Sequence, residues 1–319
     1  MPGRTVLITG AAGFIGSHLA ERCLSLGWRV VAVDCFTDYY AEPLKRQNLS
    51  EIAGHPACTV IEADILDLDL TPILDAANIV FHLAAQPGVR ASWDDFYRYN
   101  ALNVDATQKL LECSSRSSLE RFVLASSSSV YGNADALPTH EEAMLRPVSP
   151  YGITKLAAEH LARVYWQSFG VPAVSLRYFT VYGPRQRPDM AFNRLIERAL
   201  LGEPFEVFGD GNQTRDFTYV ADAVDGTIAA GQHGRPGFAY NIGGGSRRSL
   251  ASVCSVLGEL MGARVPLKFS RRQRGDACDT AADIGRARQD LGYEPTFSFD
   301  EGLRAQLDWQ RATAALQLL

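Results

Sequence analysis

Short apolar runs rich in β-branched residues recur through the first half of the chain, separated by stretches with helical spacing. "TVLITG" (5–10), "RVVAVD" (29–34), "TVIEAD" (59–64), "IVFHLAA" (79–85), "RFVLAS" (121–126) and "VPAVSLRYF" (171–179) read as strands. "FIGSHLAERCLSLG" (14–27), "ALNVDATQKLLECSS" (101–115) and "YGITKLAAEHLARVYWQSFG" (151–170) read as helices, the first and last closed by glycine. Strands alternating with helices imply βαβ units and a parallel sheet. The strands are apolar almost throughout, which fits a sheet covered on both faces. The expected fold is α/β, a Rossmann-type doubly wound parallel sheet.

After about residue 180 the texture changes, and Gly and Pro become denser in "YGPRQRP", "FGDGNQTRDF" and "NIGGGS". We read residues 1–180 as a dinucleotide-binding domain and 181–319 mainly as a smaller α/β substrate lobe with shorter helices and longer loops, some later segments returning to the first domain. The 319 residues suit one large unit or two lobes. A net charge of −5 without a Lys/Arg block argues against nucleic acid or an anionic membrane as the main partner. The six cysteines form no CxxC pair and no metal-ligand spacing, and no run approaches a membrane span. A reduced, soluble, cytoplasmic protein without a bound metal is the expectation.

"GAAGFIG" sets Gly10, Gly13 and Gly16 between the first strand and the first helix. Glycines there let the backbone approach a pyrophosphate at the free N–H groups of a helix N-terminus. Position makes this GxxGxxG pattern informative, because Gly-rich turns alone are common. Phe14 and Ile15, between the glycines, share the expected cofactor contact. Asp34 ends the second strand and suits the two ribose hydroxyls of an adenosine. No Arg or Lys follows within Cys35–Asp38, which favours NAD over NADP. Asp64 and Ile65, at the end of the third strand, are candidates for the adenine edge; Asp64 as a simple turn former is the competing reading.

Tyr151 and Lys155 stand four apart at the start of a long helix and share one face. An ammonium there lowers the pKa of a phenol and makes it a usable base. "SSSS" (126–129) follows a buried strand, where ligands bind in a doubly wound sheet. With "HLAA" (82–85), "YNALNVDAT" (99–107), "SSSSVYG", "YGITK", "RYFTVYGP" (177–184), "FGDGNQTRDF" (208–217), "YVADAVDG" (219–226) and "NIGGG" (241–245), the chain resembles the extended short-chain dehydrogenase/reductases. Within them it resembles the nucleotide-sugar epimerase/dehydratase branch, as far as about residue 305. The resemblance implies Ser127 and Tyr151 at the reacting hydroxyl, with Lys155 beside the tyrosine and on the nicotinamide ribose. It also implies that Ala84, Ala85, Asn103 and Tyr178 line the cofactor. His82 reads as a satisfied buried histidine rather than a catalytic group.

This branch begins its chemistry by oxidation at C4 of the sugar. Dehydratases of the family carry Asp-Glu in the two positions after the Ser/Thr, and decarboxylases a Glu two before the following tyrosine. Here those positions are Ser128 and Ser129, and hydroxyls do not readily trade protons at neutral pH. Epimerisation remains, with the ketone turning over and hydride returning to its other face. "DCFTDYYAEPLKRQN" (34–48) and "FTVYGPRQRPDMAF" (179–192) further resemble the UDP-glucuronate 4-epimerases. Arg187 offers a fork suited to a hexuronate carboxylate. By resemblance Thr180, Ser127 and Ser128 help it; Arg185 is the second candidate. At the nucleotide end the resemblance points to Phe208 and Gly209 near the base, and to Arg215, Asp276 and either Arg272 or Arg274 at the diphosphate and ribose. A 4-epimerase of neutral UDP-hexoses or UDP-N-acetylhexosamines, a UDP-glucuronate decarboxylase and a non-catalytic NAD-binding sensor are the competing readings. Apolar stripes over 100–117 and 151–169 imply, by resemblance, a homodimer through a four-helix bundle; packing within one chain explains them equally well.

Overall fold

A computed structural model of the chain describes residues 3–271, 275 and 279–316. Its strands are β1 (Thr5–Thr9), β2 (Arg29–Asp34), β3 (Cys58–Glu62), β4 (Ile79–His82), β5 (Arg121–Ser127), β6 (Ala173–Tyr178), β7 (Thr180–Tyr182), β8 (Phe205–Phe208), β9 (Thr214–Tyr219), β10 (Ala239–Ile242), β11 (Ser246–Ser249) and β12 (Leu267–Ser270). Seven of them form one parallel sheet in the order β10-β6-β5-β4-β1-β2-β3. All six residues of β6 and all four of β4 are buried, as a sheet covered on both faces requires. The chain runs outward from β1 through β2 to β3, then returns to lay β4 against the other side of β1. That reversal opens a crevice beyond the carboxyl ends of β1 and β4.

Two apolar layers cover the sheet. Helix Phe14–Ser25 packs beside helix Val220–His233 on one face, through Leu19, Ala20, Cys23, Val224 and Ile228. Helices Thr71–Ala76, Ala106–Ser114 and Pro150–Phe169 cover the other, through Leu74, Leu110, Leu111, Ala158 and Ala162. A third core gathers Tyr182, Phe192, Phe217, Leu257, Phe299 and Leu303 around the sheets β11-β9-β7 and β12-β8. β10 and helix Val220–His233 belong to the large sheet although they lie late in the chain. Helix Phe299–Leu316 is eighteen residues long, so the late Gly and Pro density does not mean short helices throughout.

Local chemistry sets the two helices that matter most for the crevice. Helix Pro150–Phe169 starts where the Ser149 hydroxyl accepts the Gly152 N–H at 3.1 Å, with Pro150 at its first position. It stops at Gly170, whose φ of 74° favours glycine. The helix read at 101–115 begins earlier: Phe96–Asn100 is α-helical, Ala101–Asp105 forms a π turn, and Ala106–Ser114 resumes the α-helix. The extra residue of the π turn accompanies an inward Asn103 side chain. Its amide accepts the Gln86 N–H at 2.6 Å and donates to the Gln86 carbonyl and the Thr154 hydroxyl. Among the described residues no helix is long and apolar enough to cross a membrane.

Candidate active site

A cleft of about 1000 Å³ lies beyond the carboxyl ends of the central strands and runs on to β8 and β9. Gly10, Gly13, Phe14, Ile15 and Gly16 line one end of it. Two of the glycines are sterically required. A Cβ on Gly10 would stand 2.7 Å from the Ala84 nitrogen, and one on Gly16 would stand 2.1 Å from the Gly10 carbonyl oxygen. Gly10 also has a φ of 71°. Helix Phe14–Ser25 thus opens directly onto the cleft, with no acidic residue in its first turn to oppose an anion.

Asp34, Asp64 and Ile65 line the same end. The two Asp34 carboxylate oxygens accept the backbone N–H groups of Ala12 (2.9 Å) and Phe36 (2.8 Å). Burial raises the Asp34 pKa, and those two hydrogen bonds oppose the shift. Each oxygen keeps a further lone pair for a hydroxyl donor. Ala84, Ala85 and Tyr178 also line the cleft; the Tyr178 hydroxyl is paired with Thr227 at 2.6 Å. Asn103 is outside this lining: it is buried and holds the Gln86 segment from behind. His82 is fully buried between the hydroxyls of Thr9 (2.7 Å) and Thr107 (2.9 Å), and burial lowers its pKa to about 3. It is a neutral structural histidine.

Ser127, Tyr151 and Lys155 meet at the middle of the cleft. Lys155 Nζ donates to the Ala125 carbonyl at 2.9 Å and stands 5.9 Å from the Tyr151 ring centroid. Burial lowers the Lys155 pKa to about 8, against the opposing pull of Glu159 one turn along. Burial raises the Tyr151 pKa, while a hydrogen bond from Ser127 and the charge of Arg187 lower it. The tyrosine ring also meets Tyr99 edge-on at 6.3 Å. Ser127 is held in turn by Ser129, whose N–H donates to the Ser127 oxygen at 3.1 Å.

Ser128, Thr180 and Arg187 line the wall near Tyr151. Arg187 Nε and Nη2 donate to the two carboxylate oxygens of Asp189 at 3.0 and 3.1 Å. Burial alone would lower the Arg187 pKa, but Asp189, Tyr39 and Tyr151 outweigh it and the net shift is upward. Arg185 is turned away: at a φ of 63° it pairs with Glu21 at 2.7 Å, on helix Phe14–Ser25. Of the two candidates, Arg187 is the one in the cleft. Phe208, Gly209 and Arg215 line the far end. Arg272, Arg274 and Asp276 lie outside the described residues. No cluster of metal-ligating side chains occurs among the described residues.

Residues 6–243 match the model of the NAD dependent epimerase/dehydratase family. The chain belongs to the NAD-dependent epimerase/dehydratase family. Within it, the chain is 46% identical to an uncharacterised UDP-glucose epimerase, YtcB, of Bacillus subtilis, over 95% of this chain and 96% of the relative. It is 37% identical to the UDP-glucuronate 4-epimerase of Thermodesulfobacterium geofontis, covering 97% of each. Among solved structures it resembles the Bacillus cereus UDP-glucuronic acid 4-epimerase in complex with UDP-glucuronic acid and NAD. The TM-score is 0.94 at 43% identity, over 97% of this chain and 99% of that one.

The epimerase/dehydratase cleft also contains side chains that sequence reasoning missed. Lys45 reaches back from helix Glu42–Leu49 to the rim near Asp34 and donates to the Thr37 carbonyl and hydroxyl. It lies beyond Cys35–Asp38, the stretch after Asp34 that has no Lys or Arg. Arg90, after β4, places its guanidinium 4.4 Å from the Phe208 ring centroid. Tyr39 and Asp189 join above Arg187, the tyrosine hydroxyl donating at 3.1 Å. Their only sequence signal was membership of "DYY" and "RPDM".

Proposed function

We propose that this chain is an NAD-dependent 4-epimerase that interconverts UDP-glucuronate and UDP-galacturonate. The observation that carries the reading is a half-buried arginine fork, Arg187, in the same chamber as Tyr151, with hydroxyls rather than carboxylates at 128 and 129. The first is suited to a sugar acid. The second leaves an oxidised sugar without an acid–base pair for elimination.

The cofactor end fits NAD. Gly10 and Gly16 permit a tight turn at the start of helix Phe14–Ser25, where any Cβ would collide with neighbouring backbone, and Asp34 presents acceptors for ribose hydroxyls. Bound there, NAD would take a hydride from C4 and give it back. In this reading Tyr151, as tyrosinate, accepts the O4 proton and returns it at the end of the cycle. Lys155 stabilises the tyrosinate and hydrogen-bonds the neighbouring ribose. Ser127 donates to O4 and keeps it within reach of Tyr151. Arg187, Thr180 and Ser128 hold the C6 carboxylate on either presentation of the sugar, while Phe208 and Arg215 hold the nucleotide. A 4-keto uronate is a β-keto acid, so the same grip guards against loss of CO2. Arg187→Ala is expected to lose most activity on UDP-glucuronate and to release CO2 from what it does oxidise. Full epimerase activity without added CO2 in that variant would refute the assignment.

We further propose a cytoplasmic homodimer. Helices Ala106–Ser114 and Pro150–Phe169 pack together; Ile153 and Val164 on the second, and Phe96 and Tyr97 on the short helix leading into the first, stay exposed, Tyr97 by 84%. A second copy would cover these side chains in a four-helix bundle. Light scattering is expected to give twice the 34.9 kDa chain mass; a monomer at working concentration would refute it.

A further inference from the structure

We propose that Asp189, braced by Tyr39, is a positioning residue that fixes the plane of the Arg187 fork and thereby decides whether the 4-keto uronate keeps its carboxylate. The inference rests on the reading of a uronate substrate and deepens it.

Arginine is a long side chain with about 2 kcal/mol of rotamer entropy, and its fork is directional only once its plane is fixed. A guanidinium has two bidentate edges, a side edge (Nε and Nη2) and an end edge (Nη1 and Nη2). Asp189 takes the side edge with both oxygens, at 3.0 and 3.1 Å. Arg187 lines the cleft, and with no hydrogen bond from Nη1 among the described residues its end edge is left for a ligand. Asp189 is itself held from across the cleft by the Tyr39 hydroxyl at 3.1 Å. The Tyr39 ring stands 5.9 Å from the Arg187 guanidinium carbon.

Tyr39 is not a free surface tyrosine. Its hydroxyl sits over Gly88, where a Cβ would come within 2.4 Å of it. The loop that carries it is tied down by Lys45 on Thr37 and by the Arg98–Asp38 ion pair. The fork is therefore aligned by a chain of contacts running from helix Phe96–Asn100 through the 37–39 loop to the 187–189 loop.

Alignment matters for a β-keto acid. Decarboxylation breaks the C5–C6 bond and passes its electron pair through C5 to the C4 oxygen, giving CO2 and an enolate that is protonated at C5. The bond breaks easily only when it overlaps the carbonyl π system. A fork fixed in one place holds C6 so that the C5–C6 bond lies near the plane of the C4 carbonyl, where that overlap is poor. A loose fork still binds the carboxylate but does not fix the direction of that bond.

The test compares wild type, Asp189→Asn and Tyr39→Phe, each carrying NAD, on UDP-glucuronate, with products resolved by proton NMR and CO2 trapped. Asparagine keeps the size of the side chain but offers one acceptor oxygen, so the bidentate grip is lost. The expected result is an epimerisation rate lower by about tenfold in Asp189→Asn, with KM nearly unchanged and CO2 with a UDP-pentose appearing. Tyr39→Phe should move both readouts the same way by less. If wild type epimerises UDP-glucuronate and Asp189→Asn retains its rate and product ratio, the role of Asp189 is refuted alone. A slowed Asp189→Asn that releases no CO2 refutes it too, because a merely structural loss would not change the products. Wild type that leaves UDP-glucuronate untouched refutes the substrate reading, and this inference with it.

Discussion

Tyr151 and Lys155 share one proton balance, and burial acts on them in opposite senses. The phenol is pushed up and the ammonium is pushed down to about 8. The form that works, tyrosinate beside ammonium, is then a minor species whose fraction depends on both groups. It grows with pH while Lys155 stays protonated. Above about 8 each gain in tyrosinate is offset by loss of the ammonium, until the tyrosine itself titrates. The kcat/KM profile on UDP-glucuronate should therefore climb and level off near pH 8. Lys155→Met should remove the plateau and move the rise toward the ordinary tyrosine range of about 10 or higher. A level-off that stays near pH 8 in Lys155→Met would assign it to another group. At this scale the sequence was legible where spacing carries chemistry: YxxxK placed two side chains on one helix face, and the serines followed a buried strand. Lys45, Arg90, Tyr39 and Asp189 were not legible, because each matters only through what the fold brings to it from elsewhere. The π turn that directs the Asn103 amide to Gln86 was not legible either.

At the scale of elements, the end of β5 must be stiff for Ser127 to face Tyr151. Behind it lies a buried polar network. Arg177 on β6 pairs with Glu159 through three hydrogen bonds of 2.8–3.2 Å, and also donates to the Tyr131 hydroxyl and the Glu141 carbonyl. Ser126 donates to the same Glu159. The paired side chains are 6% and 7% exposed. Glu159→Gln leaves the Arg177 charge buried without its counter-ion, which costs about 3–5 kcal/mol. Calorimetry should show Tm lowered by several degrees, together with a lower kcat. An unchanged Tm would mean that the pair contributes little. Alternating strands and helices made these elements readable, since apolar runs and glycine stops report local geometry. The pairing of Glu159 with Arg177 was hidden, as two charged residues in separate elements give no pattern along the chain.

For the molecule as a whole, the crossover from β3 back to β4 makes the crevice, and the Gly loop, the serines and YxxxK all face it because they end strands or start helices there. That much follows from a βαβ pattern. The third core was less legible. Its members come from segments between Tyr182 and Leu307, interrupted by β10 and helix Val220–His233, which serve the large sheet. Texture along the chain does not reveal such interleaving. The consequence is that Arg187 shares one cleft with Tyr151 and with Phe208 and Arg215. The account stands or falls on what this cleft does to a sugar acid. The decisive measurement is proton NMR of UDP-glucuronate incubated with the purified protein and no added NAD. The account predicts UDP-galacturonate without UDP-xylose, since a cofactor restored in each cycle can stay bound. UDP-xylose with CO2, or no conversion even after NAD is supplied, would contradict it.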